Sequence, residues 1–172
     1  MTATANWYEQ NGEATGSPAG GVESLITNCD WKSVDSATTA RTTAPVVAGE
    51  NSYIKYIYLK FTGTFTQIAN VKFAHTAGSL GTGITLMGKI SSVYETPTDA
   101  DISGASDITN ATTIGSGASV LLGTSGPNDV SPASSQTSTC YTQYIVSQAQ
   151  VSGDASAGDS GSVTLSVRYT EN

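Results

Sequence analysis

The sequence predicts an all-β protein, an antiparallel, jelly-roll-like β-sandwich with long polar loops and an irregular N-terminal arm. Three observations carry the prediction. Several short segments alternate apolar and polar residues with a period of two, as half-buried strands do. Ser and Thr make up more than a quarter of the 172 residues, while charged residues are only 12%. Thr is β-branched and suits a pleated, half-wet surface better than a helix. Eighteen glycines supply turns along the chain and interrupt any long helix.

Taken in order, residues 1–21 are polar and small apart from Trp7 and Tyr8, and read as an arm outside a single sandwich domain of residues 22–172. Val22 to Thr27 is the first candidate strand. Residues 28–52 read as a long surface connection tacked down by Trp31, Val46 and Val47. Tyr53 to Thr62 is the strongest strand signal, with Ile57, Leu59 and Phe61 on one face and Tyr56, Tyr58 and Lys60 on the other. Ile68 to Ala74 and Ile84 to Tyr94 are the next strands, joined by a Gly-rich loop, HTAGSLGTG. Residues 96–118 place Ile102, Ile108 and Ile114 six apart. That period fits neither helix nor strand, so the segment reads as a partly anchored excursion. Ser119 to Gly123 is a short strand, and TSGPNDVSPASSQTS is loop. Tyr141 to Gln150 is a strand, with Tyr144 and Val146 on one face and Tyr141, Ile145 and Ala149 on the other. Ser162 to Tyr169 closes the chain with Val163, Leu165, Val167 and Tyr169 directed inward. No repeat of 20–50 residues is visible, which argues against a solenoid or propeller.

Charge and composition narrow the function. The net charge is −7 with only seven Lys and Arg, scattered along the chain, so no basic patch is available for phosphates and no nucleic-acid partner is expected. No apolar run is long enough to span a membrane. The first residues lack the basic and apolar regions of a signal peptide, so synthesis in a cytoplasm is expected. Cys29 and Cys140 match no zinc spacing. They read as thiols, with a disulfide across the sandwich as the alternative.

Candidate chemistry is sparse. Gly158-Asp159-Ser160-Gly161 resembles the nucleophile segment of chymotrypsin-like serine proteases, and Phe73-Ala74-His75 resembles their general-base segment. A nucleophilic Ser needs a base and a third group to orient that base. His75 is the single histidine, Ser162 stands where the protease motif has a further Gly, and only twelve residues follow Ser160. The segment reads better as a turn into the last strand. Asp99, Asp101 and Asp107 form an acidic loop without the Gly and distal Glu of a calcium loop, and read as solvated charges. No enzyme activity, metal or cofactor is expected. Binding is the remaining class, with Trp7, Tyr8, Tyr53, Tyr56 and Tyr58 as candidate contact residues. Tyrosine is amphipathic and common at interfaces, and a tyrosine-rich strand face suits sugar or protein; cross-strand packing is the competing reading.

The stretch YIKYIYLKFTGTFTQIANVKFAHTAGSLGTGITLMGKISSVYETP, with YTQYIVSQAQ and the ending GSVTLSVRYTEN, resembles virion structural proteins of tailed bacteriophages. The resemblance lies in an "FTGTF…I.N.KFAHTAG" block and a final strand ending near "Y.EN". It implies a capsid decoration (cement) protein that binds the major capsid protein on the outside of the particle, with possible trimeric or other self-association. A tail or baseplate component and a carbohydrate- or receptor-binding module are the alternatives. It assigns no functional residues, because such proteins act through surfaces. An arm that orders on the capsid, anchored by Trp7 and Tyr8, is the expected mode of attachment.

Overall fold

The computed structural model describes residues 2–16, 19–115, 119–156 and 161–172. The described residues form strands and no helix, so the all-β prediction holds. The strands are β1 (Ala3–Thr15), β2 (Gly20–Ile26), β3 (Lys55–Gly63), β4 (Ile68–Ser79), β5 (Ile84–Ser91), β6 (Ser106–Asp107), β7 (Leu122–Gly123), β8 (Ser135–Gln136), β9 (Cys140–Thr142), β10 (Tyr144–Val151) and β11 (Ser162–Glu171). They build two antiparallel sheets. The large sheet runs β2-β1-β3-β10-β5-β6, with β9 pairing β3 and β7 pairing β9; the small sheet runs β11-β4-β8.

Residues 3–15 are not an irregular arm. They form β1, which sits inside the large sheet between β2 and β3 and pairs with β3 from Ala3 opposite Gly63 to Gln10 opposite Tyr56. The sequence of β1 has few large apolar residues. A strand with a neighbour on each side satisfies its backbone through two ladders and gains from cross-strand side-chain pairs. Here Trp7 lies between Leu59 and Ile26, and Tyr8 lies between Tyr58 and Leu25. A register shift between Asn11 and Thr15, with Gly12 at φ 86°, bends the strand into β2.

Other boundaries moved for similar reasons. β4 runs through His75 to Ser79, part of the segment predicted as loop, because these small residues pair with Ser162 to Leu165 of β11. Tyr94 is not on β5; it lies beyond the strand end and is buried. Val47 does not tack down the 28–52 connection, being 66% exposed. Trp31 does pack against the core as expected, and buried Ala44 and a bond from Ser33 N to Ala44 O fix the segment with it. Ile102, Ile108 and Ile114 are the buried anchors of the 96–118 excursion, and the Ile108 and Ile114 amides donate to Leu86 O and Phe73 O. In the loop after β7, the Asp129 carboxylate accepts from the Thr124, Ser125 and Ser131 amides. Those bonds hold its pKa down to about 2.

The alternation in β3 places two cores on the two faces of the large sheet. Ile57, Leu59 and Phe61 join Phe73, Val71, Leu86 and Ile145 between the sheets. Tyr56 and Tyr58 join Tyr94, Tyr144, Ile102 and Val146 on the opposite face. The inward residues of β11 pack against the first core but stay partly exposed. Because β1 is an interior strand, deleting residues 2–16 is expected to abolish cooperative unfolding rather than trim an appendage. A urea titration followed by tryptophan fluorescence, Trp31 remaining as the probe, checks this; a retained two-state transition contradicts it.

Candidate functional site

A cleft of about 1090 Å³ lies between the two sheets. Its floor is the inner face of the large sheet, with Trp7, Ile57, Ala149 and Val151. Leu80 and residues Gly161 to Leu165 form one wall; Ile26 to Trp31 and Arg41 to Ala48 form the other. Trp7, Ile26, Trp31, Val163 and Leu165 are each only partly buried. The floor is this apolar because a three-stranded sheet lies over an eight-stranded one and leaves part of its inner face to loops.

A buried polar network lies beside this cleft, next to the cleft residue Trp31. Lys55 Nζ donates to Glu9 Oε1 at 2.6 Å, with both side chains almost wholly out of solvent, and to Ser36 O at 3.3 Å. Asn11 Nδ2 donates to Glu9 Oε1 at 2.7 Å and to Asp35 Oδ1 at 2.6 Å, and Gly12 N donates to Asp35 Oδ2 at 2.5 Å. Lys32 is also buried and donates to Thr39 O, while Trp31 Nε1 donates to Ser147 Oγ at 3.2 Å. Two strands and the 31–39 loop are thereby tied to one centre. The charges of Glu9 and Lys55 are tolerable in this setting because each has the other as partner and further hydrogen bonds.

The candidate contact residues divide. Trp7 stands in the cleft and meets Phe73 at 5.6 Å between ring centres. Tyr8 lies on the other face, stacked on Tyr58 at 5.7 Å. Tyr56 and Tyr58 are buried, edge-on to Tyr144 and, for Tyr56, to Tyr94. They offer no open ring for a sugar, so that expectation is corrected: the tyrosine face is a second core, capped by residues 92–105. Burial pushes the Tyr56 hydroxyl up to about 12 and raises Tyr58 further, where the hydroxyl donates to Glu23. Lys60 Nζ sits 5.6 Å over Tyr8 and 5.1 Å over Tyr141. Tyr53 is partly buried and its amide donates to Lys32 O.

Gly158, Asp159 and Ser160 lie outside the described residues. His75 is on β4, and its Nε2 is buried without a hydrogen-bond partner among the described residues. The acidic loop is structural: Asp101 Oδ1 accepts from Asn51 Nδ2 at 2.8 Å and Gln150 Nε2 at 3.0 Å, and Asp107 Oδ1 accepts from the Thr109 amide. Among the described residues no three His, Cys, Asp or Glu converge as for a metal, and no helix is long and apolar enough to cross a membrane. The sequence reading missed Gln148, fully buried on β10, whose Nε2 holds Ser52 O, Asp99 O and Ala100 O. It also missed the pairing of Glu9 with Lys55, which lie 46 residues apart.

Both thiols are free. Cys140 pairs with Phe61 at one end of β3, and Cys29 senses Lys55 at the other end. At about 3.3 Å per residue that separation far exceeds the Cα distance a disulfide allows, about 7 Å. Burial, then the Glu9 charge, pushes the Cys29 thiol up to about 12. Iodoacetamide at pH 8 is therefore expected to label Cys29 about a thousandfold more slowly than an unperturbed thiol, because the thiolate reacts; labelling at the rate of free cysteine contradicts this. Lys55→Met alone is expected to cost about 3–5 kcal/mol by stranding a buried carboxylate. Adding Glu9→Gln should recover part of that loss in a denaturant titration. Equal stabilities for Lys55→Met and the unaltered chain would contradict the pairing.

The chain matches no protein-family model, no curated protein and no solved structure.

Proposed function

We propose that this chain is a structural protein of a tailed-bacteriophage virion, attached to the outer surface of the capsid through the major capsid protein, where it reinforces the shell. The observation that carries the reading is the cleft beside β11. The chain completes two cores of its own, yet leaves Trp7, Trp31, Ile26 and Leu165 partly exposed in one apolar concavity. Large apolar concavities on an otherwise polar surface mark binding sites. The resemblance of residues 53–97, 141–150 and 161–172 to phage virion proteins gives the class of partner. A net charge of −7 with few cations supports a protein partner over nucleic acid.

This reading replaces the arm with the cleft as the means of attachment, because residues 3–15 belong to the sheet. A sugar-binding reading has less support, since Tyr56 and Tyr58 are buried. The test adds purified protein to particles that lack it and measures occupancy and heat-induced release of DNA. Bound protein is expected to raise the temperature of release. Val47→Glu, which places a charge on an exposed cleft wall, should lower occupancy without altering thermal unfolding of the free protein. Binding to tails or glycans instead of capsids would overturn the assignment.

A further inference from the structure

The small sheet ends at β11, and no described strand pairs with the outer edge of β11. The direction of its backbone groups follows from β4. The His75 amide donates to Ala111 O at 2.9 Å, and Phe73 O accepts from the Ile114 amide at 2.7 Å. Both residues therefore turn their backbone groups away from β11. Residues facing each other in an antiparallel ladder exchange both backbone bonds or neither. Their partners Leu165 and Val167 thus stand in pairs without hydrogen bonds, and direct their own N–H and C=O groups outward.

The cleft follows this edge. Gly161, Ser162, Val163, Thr164 and Leu165 all line it, although side chains of successive strand residues point to opposite faces. Consecutive residues meet one cavity only along their backbone edge. The cleft beside β11 therefore combines outward backbone donors and acceptors with an apolar floor.

We infer that the cleft takes an extended segment of another protein, which adds to the small sheet as a further strand beside β11. This inference rests on the reading of the chain as an attachment protein and names the form its partner takes. A lipid or small apolar molecule would cover Trp7 and Trp31 but leave the backbone groups of Leu165, on the edge of the cleft, unpaired in a drying site. An extended polypeptide satisfies both. Its inward residues are apolar, and its body is uncharged, because the charged residues of the lining are one anion and one cation, Asp30 and Arg41. A second copy of this chain does not fit through its own β11. Neighbouring strands lie about 4.8 Å apart and stacked sheets about 10 Å apart, so a strand added beside β11 lies over the cleft floor that Trp7 and Ile57 line. A second β11 carries its own large sheet beneath it, and the two large sheets would collide.

Amide hydrogen exchange of the full chain, read by nuclear magnetic resonance, tests this. The probe is a nine-residue peptide of alternating Thr and Val, with a version N-methylated at every peptide nitrogen as control. In free protein the Leu165 and Val167 amides are expected to exchange fast and the Ser166 amide slowly. The peptide should slow Leu165 and Val167 about tenfold or more, the methylated version should not, and V47E should diminish the effect. Protection of both amides in free protein would overturn the inference, showing a second copy if it grows with protein concentration and the chain's own residues if it does not. No protection by the peptide would also overturn it. The same measurement on particle-bound protein separates the two readings. Binding to particles with both amides still fast sinks strand addition and leaves capsid attachment standing, whereas peptide protection without particle binding does the reverse.

Discussion

The buried pair of Glu9 and Lys55 is the constraint on which the rest of this molecule depends. It joins β1 to β3 at the first residue of β3, and both ions are removed from water. Such a pair adds little net stability compared with well-packed apolar residues, but it penalises every arrangement that separates its members. A strand as poor in apolar residues as β1 needs that kind of specification. A shift by one residue would turn Trp7 and Glu9 to the tyrosine face and leave Lys55 unpaired in the interior. Asn11, which donates to the same carboxylate, and the Gly12 amide both donate to Asp35, so the register of β1 also fixes the loop that walls the cleft.

The second determinant is the mismatch between the sheets. Eight strands face three, and loops must cover what the small sheet does not. On the side of β4 away from β11 the cover is good: Ile108, Ile114 and Val120 are buried, and their amides bond to Leu86, Phe73 and Val71. On the β11 side the 28–48 segment is held at Trp31 and Ala44 but does not close over Trp7. One side of the sandwich is finished and the other is open, an asymmetry suited to a protein that is complete alone and gains a neighbour later.

The sequence carried the fold class and the strongest strands, because the alternation of β3, β5 and β11 is a direct imprint of a pleated sheet with a dry face. It placed Ile57, Leu59 and Phe61 on one side and Tyr56 and Tyr58 on the other, as found. It did not reveal β1, whose stability comes from cross-strand neighbours on β2 and β3, up to 60 residues away in the chain, rather than from its own apolar pattern. Nor did it reveal that the tyrosine face is covered. A strand alternates in the same way whether its second face meets water or a loop; Tyr94 lies beyond the end of the strand expected to contain it, and Ile102 comes from a segment without strand periodicity. Of the candidate contact residues, Trp7 does stand in the cleft. The cleft itself is a product of topology, since Trp7, Trp31 and Leu165 meet only once both sheets are assembled.

On the proposed function, this chain works from the outside of a phage capsid, with its open cleft turned to a neighbour. Imaging particles that carry it at a resolution that traces strands tests the claim most directly. The account predicts density for the two-sheet fold on the capsid exterior, with an extended segment of a neighbouring protein lying beside β11 over Trp7. Density on the tail, or a capsid-bound copy whose β11 edge and cleft face open solvent, would contradict it.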